Sequence, residues 1–196
     1  MNVKELIKSS RSYRSFDPTA LISREQLTEF VECARFSPSS RNLQALKFRL
    51  VTDTDECDKV LANTRWAGLL SHLEIPPKGH APVAYIVICI DTSLTDTLAP
   101  FQRDVGICAQ SILLAATEAG FGGCMIGNFA ANEVKSALNL AEQLAPQLVI
   151  ALGKPDETVE LVEADPSGNI AYYRENGIHY VPKRPLKDWI IERTNK

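Results

Sequence analysis

The chain has 196 residues, 45% of them apolar and 23% charged, with a formal net charge of −3. That length suits one domain with a full core, and the mild acidity supplies no basic field for nucleic acid. No run reaches the ~18 apolar residues of a membrane span, and the opening M-N-V-K-E-L-I-K-S-S lacks the apolar segment of a secretory signal, so a cytoplasmic protein is expected.

In chain order, a short helix is expected over residues 3–9. The second helix begins at Ser23, where S-R-E-Q supplies a capping box, and Leu27, Phe30, Val31 and Ala34 repeat at helical spacing so that one face packs inward. That helix yields at Ser37-Pro38, and residues 48–52 read as a strand. Asp53 or Thr54 can cap a third helix running to Leu61. The run P-V-A-Y-I-V-I-C-I-D is β-branched and aromatic without alternation, which marks a strand buried on both faces. Residues 101–119 form the most apolar helix, stopped by Gly120; between Gly106 and Ala116 only Gln110 and Ser111 are polar, so most of its circumference needs cover, in a domain centre or an oligomer interface. A helix near 132–140 and the strand Q-L-V-I-A-L-G follow. From Gly153 the chain turns polar and proline-punctuated, with D-P-S-G-N as a turn between strand-like arms and a final helix over 186–193. Helices alternating with buried strands place the fold among α/β or α+β sandwiches.

The five cysteines are scattered and contain no C-x-x-C, and His72, His80 and His179 lack ligand spacing, so neither disulfides nor a metal site is expected. Three clusters and one loop could carry chemistry. R-S-Y-R, with Arg11, Ser12 and Arg14, offers guanidinium forks and a hydroxyl to a phosphate, or forms a solvated, ion-paired surface. F-S-P-S-S-R-N-L-Q-A-L-K-F places Ser39, Ser40, Asn42 and Gln44 after Pro38; these groups can bond the edge of a heterocycle or satisfy their own backbone. F-G-G-C-M-I-G either lets a backbone approach a flat ligand or makes a tight turn; it is neither G-x-G-x-x-G nor a Walker loop. P-K-R-P pins Lys183 and Arg184 between prolines, or ends a solvated tail. Hydrolytic signatures are missing and the acidic residues fall mainly on predicted helix surfaces, which leaves a bound cofactor to carry the chemistry.

In this order, R-S-Y-R-S-F, A-R-F-S-P-S-S-R-N-L-Q, G-F-G-G-C-M-I-G, L-V-I-A-L-G-K-P-D-E and V-P-K-R-P-L resemble the motifs of the FMN-dependent nitroreductase family across nearly the whole chain. The resemblance implies an α+β sandwich: a central, mainly antiparallel sheet flanked by helices in an intertwined homodimer, one domain over 1–196 with 154–196 as an extension wrapping the domain or the partner. It implies FMN as cofactor and NADH or NADPH as donor. Arg11, Ser12 and Arg14 would hold the phosphate and the pyrimidine edge, and Lys183 and Arg184 would reach the phosphate from the tail. Pro38, Ser39, Ser40 and Asn42, with Gln44 nearby, would line the flavin of the neighbouring subunit. Gly123, Cys124, Met125 and Gly127 would pass the ring near N5.

The activity so implied is ping-pong hydride transfer through N5 to a nitroaromatic, quinone or similar flat acceptor, with the chemistry carried by the flavin rather than by a catalytic side chain. The alternatives are a non-catalytic flavin carrier or sensor on the same fold, or a related reaction such as ene reduction or dehalogenation. The chain differs from the family pattern at Ser10, where a second arginine is frequent, and at Ala45 and Leu46, where proline and an aromatic are usual.

Overall fold

A computed structural model describes residues 1–193. Eight strands and five α-helices follow in the order α1 (Val3–Ser9), β1 (Phe16–Asp17), α2 (Arg24–Arg35), β2 (Leu46–Val51), α3 (Thr54–Ala62), β3 (Ala84–Asp91), α4 (Gln102–Glu118), β4 (Gly122–Ile126), α5 (Ala131–Ala137), β5 (Leu144–Pro155), β6 (Thr158–Glu163), β7 (Tyr173–Glu175) and β8 (Ile178–Lys183).

The first five strands make one antiparallel sheet. β3 lies between β2 and β5, and the far side of β5 is shared by β4 and β1. Every residue of β3 is buried. Ala84, Ile86 and Ile88 face α2 and α4, with Leu27, Phe30, Ala109 and Ile112 among their neighbours. Tyr85, Val87 and Cys89 face the opposite layer, where Cys57 and Val60 of α3 and Val134 of α5 pack. Cover on both faces is why this strand reads as a continuous apolar run, and each fully buried Ile or Leu contributes about 1.5–3 kcal/mol.

Local chemistry sets the helix starts. Ser23 and Gln26 exchange the two bonds of the expected capping box, at 3.2 and 2.9 Å, and the Asp53 carboxylate caps α3 by accepting from the Glu56 N–H at 3.0 Å. A 3₁₀ turn, Ala99–Phe101, leads into α4, and Gly120 follows its end at φ +84°, a conformation glycine adopts at little cost.

Four expectations need correction. The first strand of the pair β2–β3 starts two residues early, at Leu46, because it runs in register with Ile90 of β3. α5 ends at Ala137 rather than 140, where Asn139 turns left-handed at φ 50°. The arms around D-P-S-G-N do not pair with each other: β8 lies between them, parallel to β6 and antiparallel to β7. The final helix is a single 3₁₀ turn, Leu186–Asp188, after which Trp189, Ile190 and Ile191 are exposed; without an apolar surface beneath them they gain nothing from helical burial.

Candidate functional site

The segment from Arg11 to Arg14 runs alongside β4. Ser12 bridges Gly123, and the Tyr13 N–H donates to the Gly123 carbonyl at 3.0 Å. The tight contact explains two glycines. A Cβ on Gly123 would lie 2.3 Å from the Ala151 oxygen, and one on Gly122 would lie 2.5 Å from the Tyr13 ring. Both serve the protein's own packing.

Further along, the outer edge of β4 is held again, by the Arg65 N–H donating to Asn128 O at 2.9 Å and the Ala130 N–H donating to Asn63 O at 2.9 Å. Between these two clasps the edge opens into a cleft of about 240 Å³, lined by Cys124, Met125, Ile126, Gly127 and Asn128, by Arg14, by Arg65 to Gly68, and by Tyr172. A Cβ on Gly127 would meet nothing within 4 Å.

The electrostatics of this cleft are lopsided. Among the described residues, neither Arg14 nor Arg65 has a carboxylate within ion-pair reach. Arg14 Nη1 donates only to Ser12 O at 3.2 Å, its guanidinium carbon lies 5.4 Å from the Tyr172 ring centre, and Arg65 donates to Thr64 O at 3.0 Å. Arg11 Nη2 donates to Ile7 O at 2.6 Å, while its Nε is buried with no partner. Burial lowers the Arg11 pKa, and burial raises that of the Cys124 thiol. Cys124 is therefore a protonated packing group and not a nucleophile. Two guanidinium groups with no ion-paired carboxylate among the described residues, beside an open strand edge, suit a planar, anionic ligand.

Tyr172 reaches the cleft from the carboxy-terminal sheet. Glu157 accepts from the Arg14 backbone N–H and from Arg174, and Arg174 Nε–H donates to His179 Nδ1 at 3.4 Å. The His179 ring, 2% exposed, lies 5.4 Å from that of Tyr172. Its pKa is lowered to about 4, first by desolvation and then by Arg14 and Arg174.

The remaining candidates lie elsewhere. Pro38, Ser39 and Gln44 line a second cleft of about 450 Å³ between α2, β2 and α4, with Asp104 and Cys108 at its base. Asn42 belongs to the same loop, in a 3₁₀ turn over Ser40–Asn42. Lys183 and Arg184 are exposed at the end of β8 and line neither cleft.

One chain thus brings Arg14 together with Cys124, Met125 and Gly127 and keeps the 38–44 loop apart. Four residues of interest were not anticipated. Arg65, Trp66 and Tyr172 sit in segments without periodicity. Asp104 is 3% exposed, contrary to the expected placement of acids on helix surfaces, because Ser39 and Ser40 bond its carboxylate.

Among the described residues no group of His, Cys, Asp or Glu is placed to hold a metal, and no helix is long and apolar enough to cross a membrane. The nitroreductase family model matches residues 7–154. An NADPH-flavin oxidoreductase of Vibrio harveyi is 30% identical over 174 residues, covering 82% of this chain and 68% of the relative. The solved structure of the NADPH:FMN oxidoreductase from Vibrio harveyi complexed with NAD+ superimposes with a TM-score of 0.64 at 26% identity, over 95% of this chain and 80% of that one. A nitroreductase family protein from Streptococcus pneumoniae TIGR4 shares the fold with a TM-score of 0.71 at 18% identity, covering 98% of this chain and all of its own.

Proposed function

The chain belongs to the nitroreductase family, and we propose that it is an FMN-dependent NAD(P)H oxidoreductase acting on flat acceptors such as nitroaromatics and quinones. The observation that carries this reading is the cleft on the open edge of β4, where, among the described residues, two guanidinium groups have no ion-paired carboxylate and the space at Gly127 is open. Bound FMN would supply the hydride chemistry between a nicotinamide donor and the acceptor.

The chain's own residues bind and orient. On this reading Arg14 and Arg65, which line the cleft, stabilise negative charge on the ring's pyrimidine end, and Arg11 and Ser12, outside its lining on the segment that runs beside β4, take the phosphate. Cys124, Met125 and Gly127 present the strand edge to the ring, while Trp66 and Tyr172 limit access from the side and exclude water.

The rest of the site comes from a second copy on this reading. Within one chain the loop bearing Pro38, Ser39, Ser40, Asn42 and Gln44 lies in a different cleft. The face of α4 carrying Gly106, Ile107 and Gln110 is exposed, although the opposite face is fully buried. A homodimer through this face covers Ile107 and brings the loop to the partner's flavin. Residues 154–196 then act as an extension of a single 1–196 domain, with Lys183 and Arg184 reaching the phosphate. Initial rates of NADH oxidation by the FMN-loaded protein, with menadione varied at several fixed NADH levels, test the ping-pong order. Parallel double-reciprocal lines are expected; lines that intersect would overturn that order.

A further inference from the structure

We propose that Asp104, in the first turn of α4, is the positioning residue that sets the 38–44 loop in the shape that meets the cofactor; this rests on reading the loop as part of the flavin site. Asp104 Oδ2 accepts from the Ser39 hydroxyl at 2.9 Å and from the Ser40 N–H at 2.8 Å, and Oδ1 accepts from the Ser40 hydroxyl at 2.9 Å. Ser39 Oγ in turn accepts from the Gln44 N–H at 3.0 Å. One carboxylate thereby closes both ends of the loop. Among the described residues no cation pairs with it, so its charge is met by these donors alone. Bonds to an ionised acceptor are about twice as strong as neutral ones.

The loop needs such a clamp. Arg41, Asn42 and Gln44 all adopt left-handed backbone, at φ 54°, 53° and 54°. None is glycine, and such residues hold that conformation only when the surroundings enforce it. Elsewhere in the loop the Asn42 N–H donates to Ser39 O at 2.8 Å, and the Gln44 amide lies against Asn42 at 3.3 Å. Neither bond anchors the loop to the body of the protein; Asp104 does, together with Leu43, packed against Ala45, Ile90 and Phe101, and a contact from the Ser40 hydroxyl to Pro100 O at 3.2 Å.

The clamp also sets the loop's chemistry. A hydroxyl has one hydrogen: that of Ser39 points to Asp104, and that of Ser40 lies between Asp104 and Pro100 O, with Asp104 the nearer at 2.9 Å against 3.2 Å. Both serines therefore offer only acceptor oxygens outward, and a cofactor group facing them must be an N–H or O–H donor. Donation from the loop falls to Asn42.

Two variants of the full-length protein test this: Asp104→Ala, and Asp104→Asn, which keeps the shape and one acceptor oxygen. FMN affinity is read by flavin fluorescence titration and loop order by amide hydrogen exchange. Asp104→Ala is expected to weaken FMN binding at least tenfold and speed exchange across residues 39–44 at least tenfold, with residues 86–90 of β3 unchanged and Asp104→Asn intermediate on both scales. Wild-type affinity in both variants despite a loosened loop would overturn the positioning role. Exchange rising in β3 as much as in the loop, in both variants, would reduce Asp104 to general stability and also overturn it. A wild-type protein that takes up no FMN would instead remove the functional reading on which the inference rests.

Discussion

Arg14 from the amino-terminal motif and Tyr172 from the carboxy-terminal sheet meet at the rim of the β4 cleft, the guanidinium carbon 5.4 Å from the ring centre. The contact holds a cation in place without neutralising it, since an aromatic face carries no net charge. Glu157 reinforces it by accepting from the Arg14 backbone N–H. A partly exposed pair of this kind contributes about 0.5–1 kcal/mol. Tyr172→Leu is therefore expected to weaken FMN binding roughly two- to fivefold, because Arg14 must be ordered at the moment of binding, whereas Tyr172→Phe keeps wild-type affinity. Equal loss in both variants would point to the hydroxyl, which receives the Leu69 N–H at 3.4 Å, instead of the ring.

Two glycines of the same strand separate packing from ligand approach. Gly123→Ala would drive a methyl group to within 2.3 Å of the Ala151 oxygen, and overpacking of this kind costs about 1–3 kcal/mol or more. Urea unfolding is expected to show that loss. Gly127→Ala meets open space and should leave stability within about 0.5 kcal/mol of wild type, yet lower FMN affinity because its methyl group enters the cleft. Unchanged affinity in Gly127→Ala would argue that the ring lies elsewhere.

How much of this was legible beforehand depends on the length scale of the signal. The doubly buried β3 and the capped start of α2 were readable because each is written in consecutive residues: an unbroken apolar run and a box of four. The pairing of β6 with β8 was not, since a turn such as D-P-S-G-N favours its own flanks and gives no sign that a later strand will come between them. Asp104 was hidden for a similar reason. An acid in the first turn of a helix is favoured by the dipole wherever it points, so only the fold reveals that two serines some 65 positions earlier enclose it. Arg14 and the Cys124–Gly127 stretch meet in one cleft because the segment bearing Arg14 runs beside β4, where Ser12 bridges Gly123; the 38–44 loop does not join them within one chain.

The carboxy-terminal sheet should weaken in acid. His179 titrates near 6.5 when unfolded and at about 4 when folded, so the unfolded state binds more protons between these values. Its contribution is complete above pH 6.5 and falls as pH drops toward 4. Each pH unit crossed within that window removes at most about 1.4 kcal/mol. Arg174 and Tyr172 lie against the ring, Glu157 accepts from Arg174, and the cations Arg14 and Arg174 oppose its protonation. Urea midpoints across pH 4–7 should slope downward in acid for wild type and less steeply for His179→Gln. Equal slopes would assign the acid sensitivity to other groups.

The exposed face of α4 gives the dimer its test. Ile107 is 40% exposed on a helix that is otherwise the most apolar in the chain. If the proposed homodimer forms through this face, Ile107→Glu is expected to shift it to monomer in light scattering and to lower FMN affinity more than tenfold, since on that reading each site takes the partner's loop. A wild-type monomer that binds FMN fully would remove the two-subunit site.

Whether this chain binds FMN and passes electrons through it is read from an anaerobic absorbance titration. The FMN-loaded protein is titrated with NADH, then with NADPH, and finally with a quinone. At least one nicotinamide is expected to bleach the flavin band rapidly, and the quinone to restore it. A stable yellow complex that neither donor bleaches, or a protein that takes up no FMN, would contradict the proposed function.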